Sequence, residues 1–190
     1  VDLLVDHLKY LRDAFNSTDT KNYRAQMEKE ELSESLRKIF TGVITLSADE
    51  MAGERGIVPI ELKDQEHEQS CFSDTSLEDH LGNQLSVEQV VLGKYRSTLT
   101  TNEKMFEGAG LINLIEKNNG KLAKKIRNQL NESRMLMEDL LKKGKTLDQI
   151  ILLKDKDPLK KLYKKILVSF EKQAKLLGVA GSEMGLLLNY

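Results

Sequence analysis

The sequence has no tryptophan, one cysteine, two prolines and only 5% aromatic residues in 190 positions. A lone cysteine cannot close an internal disulfide, so a small disulfide-stapled scaffold is excluded, while the redox compartment stays open. No run of about eighteen apolar residues occurs, which leaves no candidate for a membrane-spanning helix. A Gly-rich phosphate loop, a Ser-centred nucleophile elbow and a His-Glu-x-x-His zinc-protease motif are all missing. The chain opens on "VDLLVDHLKYLRDAF", with neither an initiator Met nor the basic-then-apolar pattern of a signal peptide. It reads as starting in mid-helix, a processed form or fragment whose N-terminal part and any export signal lie outside it.

What is abundant is Leu, Lys and Glu, side chains that lose little rotamer freedom in a helix. The length suits one domain, residues 1–190, with a sizeable core. Leu4, His7, Leu8, Leu11 and Phe15 recur at spacings of three and four, the stripe of an amphipathic helix, and "NSTDTKN" breaks it. A long helix is expected from Tyr23 to about Arg55, with Leu32, Leu36, Ile39, Phe40, Val43 and Leu46 on its buried side. Between Gly56 and Gly110 the periodicity fades, and a long irregular region is expected there, with short helical turns around "LEDHLGN" and "SVEQVVLGKY". Leu122, Ile126, Leu130, Ser133, Met137 and Leu140 mark a third helix, with Gly144 suited to its left-handed end. Asp157 caps a fourth that begins at Pro158 and runs along Leu159, Leu162, Ile166, Phe170, Gln173 and Leu177, with Gly178 expected to stop or bend it. The expected fold is therefore all-α, an up-and-down, four-helix-bundle-like domain with an irregular region between the second and third long helices.

Net charge is −1, but residues 1–90 hold 9 Lys+Arg against 19 Asp+Glu, and residues 91–190 hold 20 against 11. The basic half carries mostly Lys, interleaved with acids at helical spacing and poor in stacking aromatics. It reads as solvated helix faces, and no nucleic-acid partner is expected.

Two stretches carry candidate chemistry. In "LSADEMAGER", residues 46–55, an α-helix would stack Ser47, Glu50 and Glu54 on one face with Arg55 one step round. Acids one turn apart repel unless a cation, a proton or an arginine lies between them. In "KDQEHEQSCFSDTSLEDH", residues 63–80, acids, two histidines and the only cysteine crowd together. The four-residue step from His67 to Cys71 permits a zinc site of His, Cys and carboxylate. Glu66, His67 and Glu68 are the candidate metal ligands, with iron or zinc the candidate metals. Hard-cation binding by Asp64, Glu66, Glu68 and Asp74 is a further option, although the calcium-loop pattern is missing. The plainer reading has Cys71 as a packed, buried small side chain beside Phe72, with Ser73, Asp74 and Thr75 capping helix starts and holding loop backbone. A Cys71 nucleophile would need His7, His67 or His80 within hydrogen-bond reach, and no local signature supports one.

Taken together these stretches resemble the second half of the imelysin family, also classed as peptidase family M75. Leu46, Ser47, Glu50, Gly53, Glu54 and Arg55 match its helix motif. Asp64, Gln65, Glu66, Glu68 and the run Ser70 to Asp74 match its acidic Cys-Phe-Ser-Asp signature, and Leu92, Gly93 and Tyr95 its following motif. The resemblance implies an all-helical protein of two halves, exported in bacteria to the periplasm or outer membrane, often as a lipoprotein, and linked with iron-regulated uptake. The family's Gly-x-His-x-x-Glu hallmark belongs to the first half and has no counterpart here. The missing N-terminal half would thus be a partner, with any lipid anchor outside this chain. On this reading Ser47, Glu50, Glu54, Arg55, Asp64, Glu66, Glu68, Ser70, Ser73 and Asp74 line one wall of a shared cleft for a metal or metal-bearing ligand. Cys71, Phe72, Gly93 and Tyr95 play structural parts, and no catalytic residue is assigned. The alternatives are a metallopeptidase completed by the missing half, or an interaction module whose acidic stretch is only structural.

Overall fold

A computed structural model describes residues 1–15, 18, 20–96 and 104–188. Among the described residues the fold is all-helical apart from one small hairpin. The chain divides into two compact units, Val1–Ile39 and Phe40–Tyr190, where the sequence suggested one domain.

The first unit holds α1 (Asp2–Ala14), α2 (Tyr23–Lys29) and the start of α3 (Leu32–Thr45). The expected α1 stripe exists, yet no α1 residue is buried, and Leu4, Leu8, Leu11 and Phe15 are each more than half exposed. Phe15 meets only the edge of Tyr23, with ring centroids 5.5 Å apart. The Asn22 side chain caps α2 by accepting from the Ala25 amide at 2.9 Å. That cap, with Glu30 in extended conformation, breaks the single helix expected over residues 23–55. The expected break at residues 16–22 lies partly outside the described residues.

In the second unit α3 runs into a π-helix, Leu46–Ile57, followed by α4 (Val58–Leu62), a 3₁₀ turn (Gln65–His67) and α5 (Ser76–Leu92). The antiparallel hairpin β1 (Lys94–Arg96) and β2 (Met105–Glu107) pairs Tyr95 with Phe106. Then come α6 (Leu111–Asn118), α7 (Gly120–Leu141), α8 (Leu147–Ile151) and α9 (Pro158–Glu183). Four long segments close a ring: the π-helix packs on α9, α9 on α7, α7 on α5, and α5 back on the π-helix. Where short helical turns were expected within an irregular stretch, one continuous 17-residue helix forms, because Leu77, His80, Gln84, Val87 and Val91 give α5 a buried side. Its mixed polar and apolar buried residues hid the period.

The α7 stripe is buried as expected, from Leu122 to Leu140. Gly144 takes the left-handed conformation, φ +67°. Asp157 caps α9 by accepting from the Leu159 amide at 2.8 Å. Gly178 neither stops nor ends α9, which continues to Glu183 because Ala180 and Gly181 are buried and keep the helix packed. The core centres on Met51, Ile60, Leu77, Met137, Leu140, Ile150, Tyr163, Ile166 and Phe170.

Candidate functional site

The π-helix decides what "LSADEMAGER" presents. With bonds from i to i+5, its buried residues are Ser47, Met51, Ala52 and Gly56, at steps of four, one and four. Ser47 therefore does not share a face with Glu50 and Glu54, as an α-helix would require. It points into the core, donating to the Val43 carbonyl at 2.7 Å and accepting from the Gln173 amide at 3.0 Å. The wide turn also explains two glycines. A Cβ at Gly53 would lie 3.3 Å from the Ala48 carbonyl oxygen, and one at Gly56 would lie 2.5 Å from that of Met51, five residues back in both cases. Glu50 pairs with Arg55 at 2.9 Å, again across five residues, and Glu54 is exposed.

Beyond α4, Lys63 enters the left-handed region at φ 54°, and the chain reverses into the acidic stretch. Asp64 caps the 3₁₀ turn, accepting from the Glu66 amide at 3.0 Å and meeting His67 Nδ1 at 2.9 Å. Glu66 and His67 face solvent on this turn, and Glu68, with ψ 159°, turns inward. The expected ligand trio of Glu66, His67 and Glu68 is thus not brought together. Cys71 is half-buried rather than buried, and Phe72, for which a structural part was expected, is fully exposed. The turn they ride on, closed by the Asp74 and Ser73 amides on the Ser70 carbonyl, carries its tip outward.

Ser70 and Ser73 do bind local backbone and side chains: the Ser70 amide donates to Ser76 Oγ at 2.9 Å, its hydroxyl bonds Asp79, and Ser73 Oγ meets Thr75 Oγ1 at 2.8 Å. Gly93 ends α5 at φ +69°, with Gly110 N only 2.4 Å from where a Cβ would stand. Tyr95 lies on the hairpin, half-exposed, with Phe106 at 6.1 Å between ring centroids.

What the structure does assemble is Glu68, Asp74 and Asp148. One carboxylate oxygen from each lies within 4.8 Å of the others. Asp74 is exposed and held in the left-handed region at φ 56°, Asp148 is half-buried on α8, and Glu68 is only 5% exposed. Neither Glu68 oxygen has a hydrogen-bond partner of good geometry, and no described ion pair includes any of the three acids. Burial raises the Glu68 pKa; the nearby Ser76 hydroxyl works against the rise, and Asp148, Asp74 and Glu66 add to it. Gln65 ties the acidic stretch to α8, its amide nitrogen donating to the Asp148 carbonyl at 3.2 Å.

Behind Glu68 lies Tyr163, wholly buried, whose pKa is driven upward by burial and by the Glu68 charge. Its hydroxyl meets His80 Nδ1 at 3.4 Å. Burial, seconded by the Arg55 charge and opposed by Asp79, lowers His80 to about 4, so it is neutral at ordinary pH. Gln173 also donates to Gln84 Oε1 at 2.8 Å, and Gln84 to the Leu130 carbonyl at 3.2 Å.

A model of the imelysin family, peptidase M75, matches residues 1–173. The chain belongs to the imelysin family. A comparison with curated proteins gives no match. Membership rests on most of the chain and agrees with the all-helical fold. No described helix of this imelysin-like protein is long and apolar enough to cross a membrane.

Sequence reading passed over Asp148, Ser76 and Tyr163. Asp148 follows Thr146 in "KTLDQI" and looks like an ordinary first-turn acid of a helix; only the tertiary fold brings it to Glu68.

Proposed function

We propose that this imelysin-like protein is an exported, cell-envelope binding protein associated with iron uptake, which takes a metal or metal-bearing ligand on the wall formed by the π-helix and the acidic stretch. One observation carries the reading. Glu68 is a buried carboxylate without a counter-ion, facing two more carboxylates, and such a group is costly unless protonated or met by a cation. The donors are all oxygen, which suits a hard cation such as ferric iron better than a zinc-protease centre built on imidazole or thiolate. Glu50, Glu54 and Arg55 extend the wall with exposed or half-exposed charge. A first half of the family type would supply the opposite wall.

Calorimetric titration of ferrous, ferric and zinc ions into the chain tests this reading. Binding of iron in preference to zinc, weakened in Glu68→Gln, is the expected result. Chelator-sensitive cleavage of peptides by the full-length protein would instead favour the peptidase label.

A further inference from the structure

We infer that Glu68, Asp74 and Asp148 form a single all-oxygen cation site that staples α8 to the acidic stretch, with Asp148 as an essential ligand lying outside the family-like motif. The inference rests on the metal-binding reading above and narrows it to three side chains and a cation class.

Three carboxylate oxygens within 4.8 Å of one another match the span of donors around one hard ion with oxygens at about 2.3–2.6 Å. A cluster of acids at a surface would mean little, because exposed carboxylates are solvated and screened. Here one member is only 5% exposed, and neither of its oxygens has a hydrogen-bond partner of good geometry, the Ser76 hydroxyl standing nearby. The Ser76 hydroxyl accepts from the Ser70 amide, which holds the floor of the site in place. Asp74 reaches the cluster from a backbone conformation that non-glycine residues seldom adopt. Asp148 is oriented by the Thr146 hydroxyl and the Gln65 amide. Three negative charges with no cationic side chain among their described ion pairs favour a cation of charge two or three. The set contains neither nitrogen nor sulfur, the donor type that suits calcium, manganese and other hard cations.

The test uses terbium(III) as the hard-ion probe, read by luminescence sensitised through Tyr163, whose phenol feels the Glu68 charge. Calcium, manganese(II), iron(II) and zinc compete in separate titrations. Terbium should bind and be displaced by calcium and by manganese(II). Apparent affinity should fall at least tenfold in Glu68→Gln and in Asp148→Asn, and stay within twofold in Asp139→Asn, an exposed acid paired with Lys143. Circular dichroism of each variant confirms folding. If Asp148→Asn binds as the wild type does while Glu68→Gln does not, the three-ligand site is overturned and the broader acidic-wall reading stands. If no free ion binds but ferric citrate does, the site is again overturned and that reading survives. Binding of neither overturns both.

Discussion

Acidification should unfold this protein partly through one histidine. His80 is wholly buried between Tyr163 and Phe170, with ring centroids at 6.1 and 6.5 Å, and its Nε2 has no hydrogen-bond partner. Its pKa of about 4 in the fold lies below the ordinary 6.5 because burial and the Arg55 charge disfavour imidazolium, and Asp79 offsets only part of this. A base whose folded pKa is depressed takes its proton first in the unfolded chain. Its contribution is therefore complete above about pH 6.5 and is lost as pH falls toward 4. Linkage gives a loss of roughly 2 to 3 kcal/mol by pH 4.5. Glu68 and Glu88 act in the opposite sense: burial raises both, so the fold takes up their protons first and loses that advantage as pH rises. The His80 effect must be read as a difference. Urea unfolding of the wild type and of His80→Gln at pH 7.5, 6.0, 5.0 and 4.5 supplies it. The stability gap between the two should shift by roughly 2 to 3 kcal/mol toward the variant across that range. A gap independent of pH would refute the argument, since imidazole protonation would then not be coupled to unfolding.

Glu68→Gln, in chelator-treated buffer at neutral pH, should raise stability by roughly 1 kcal/mol by removing an uncompensated buried charge; a loss would mean the carboxylate is satisfied in a way its contacts do not show. Gly56→Ala should cost roughly 2 kcal/mol in urea unfolding, because the new methyl would stand 2.5 Å from Leu167 Cδ2 and from the Met51 carbonyl, and an unchanged midpoint would argue against the π-helix. Ser47→Ala should cost about 1 kcal/mol by leaving Gln173 Nε2 with one acceptor instead of two, without altering cation binding. Gly93→Ala should destabilise by roughly 2 kcal/mol or more, and thermal unfolding will show it, since φ is +69° and the Gly110 backbone blocks the methyl.

The helices that pack one apolar stripe could be read directly from the sequence. In α7 every residue of the stripe from Leu122 to Leu140 is buried, and in α9 the Asp157 cap and Pro158 start are where composition put them. Legibility failed where a buried face is polar. In α5, His80 and Gln84 occupy core positions, so the apolar period vanishes although the helix is real. It failed again at residues 46–57, because α-helical spacing assigns Ser47 to the face of Glu50 and Glu54, and the i to i+5 ladder turns it into the core. The candidate site was legible in two of its three residues: Glu68 and Asp74 stand within the acidic stretch, whereas Asp148 sits 74 positions after Asp74 and shows only the pattern of a helix start.

These failures share a cause, and it bears on function. A core assembled for stability alone would satisfy its buried polar groups or omit them. This one leaves both Glu68 oxygens, His80 Nε2 and Gln173 Oε1 unpartnered. They are linked through other buried residues: Glu68 acts on Tyr163, Tyr163 meets His80, and Gln173 joins Ser47 of the π-helix to Gln84, one turn beyond His80 on α5. The motif-bearing π-helix and the acidic stretch are therefore joined by one strip of incompletely satisfied polar side chains running through α5 and α9. A ligand that neutralises Glu68 changes the field at Tyr163, whose hydroxyl meets His80, so occupancy of the acidic wall should be felt at the buried imidazole through that contact. The same His80 titration repeated with a saturating hard cation would reveal that coupling as a shift of its unfolding profile along the pH axis, and identical profiles with and without the ion would show that the strip transmits nothing.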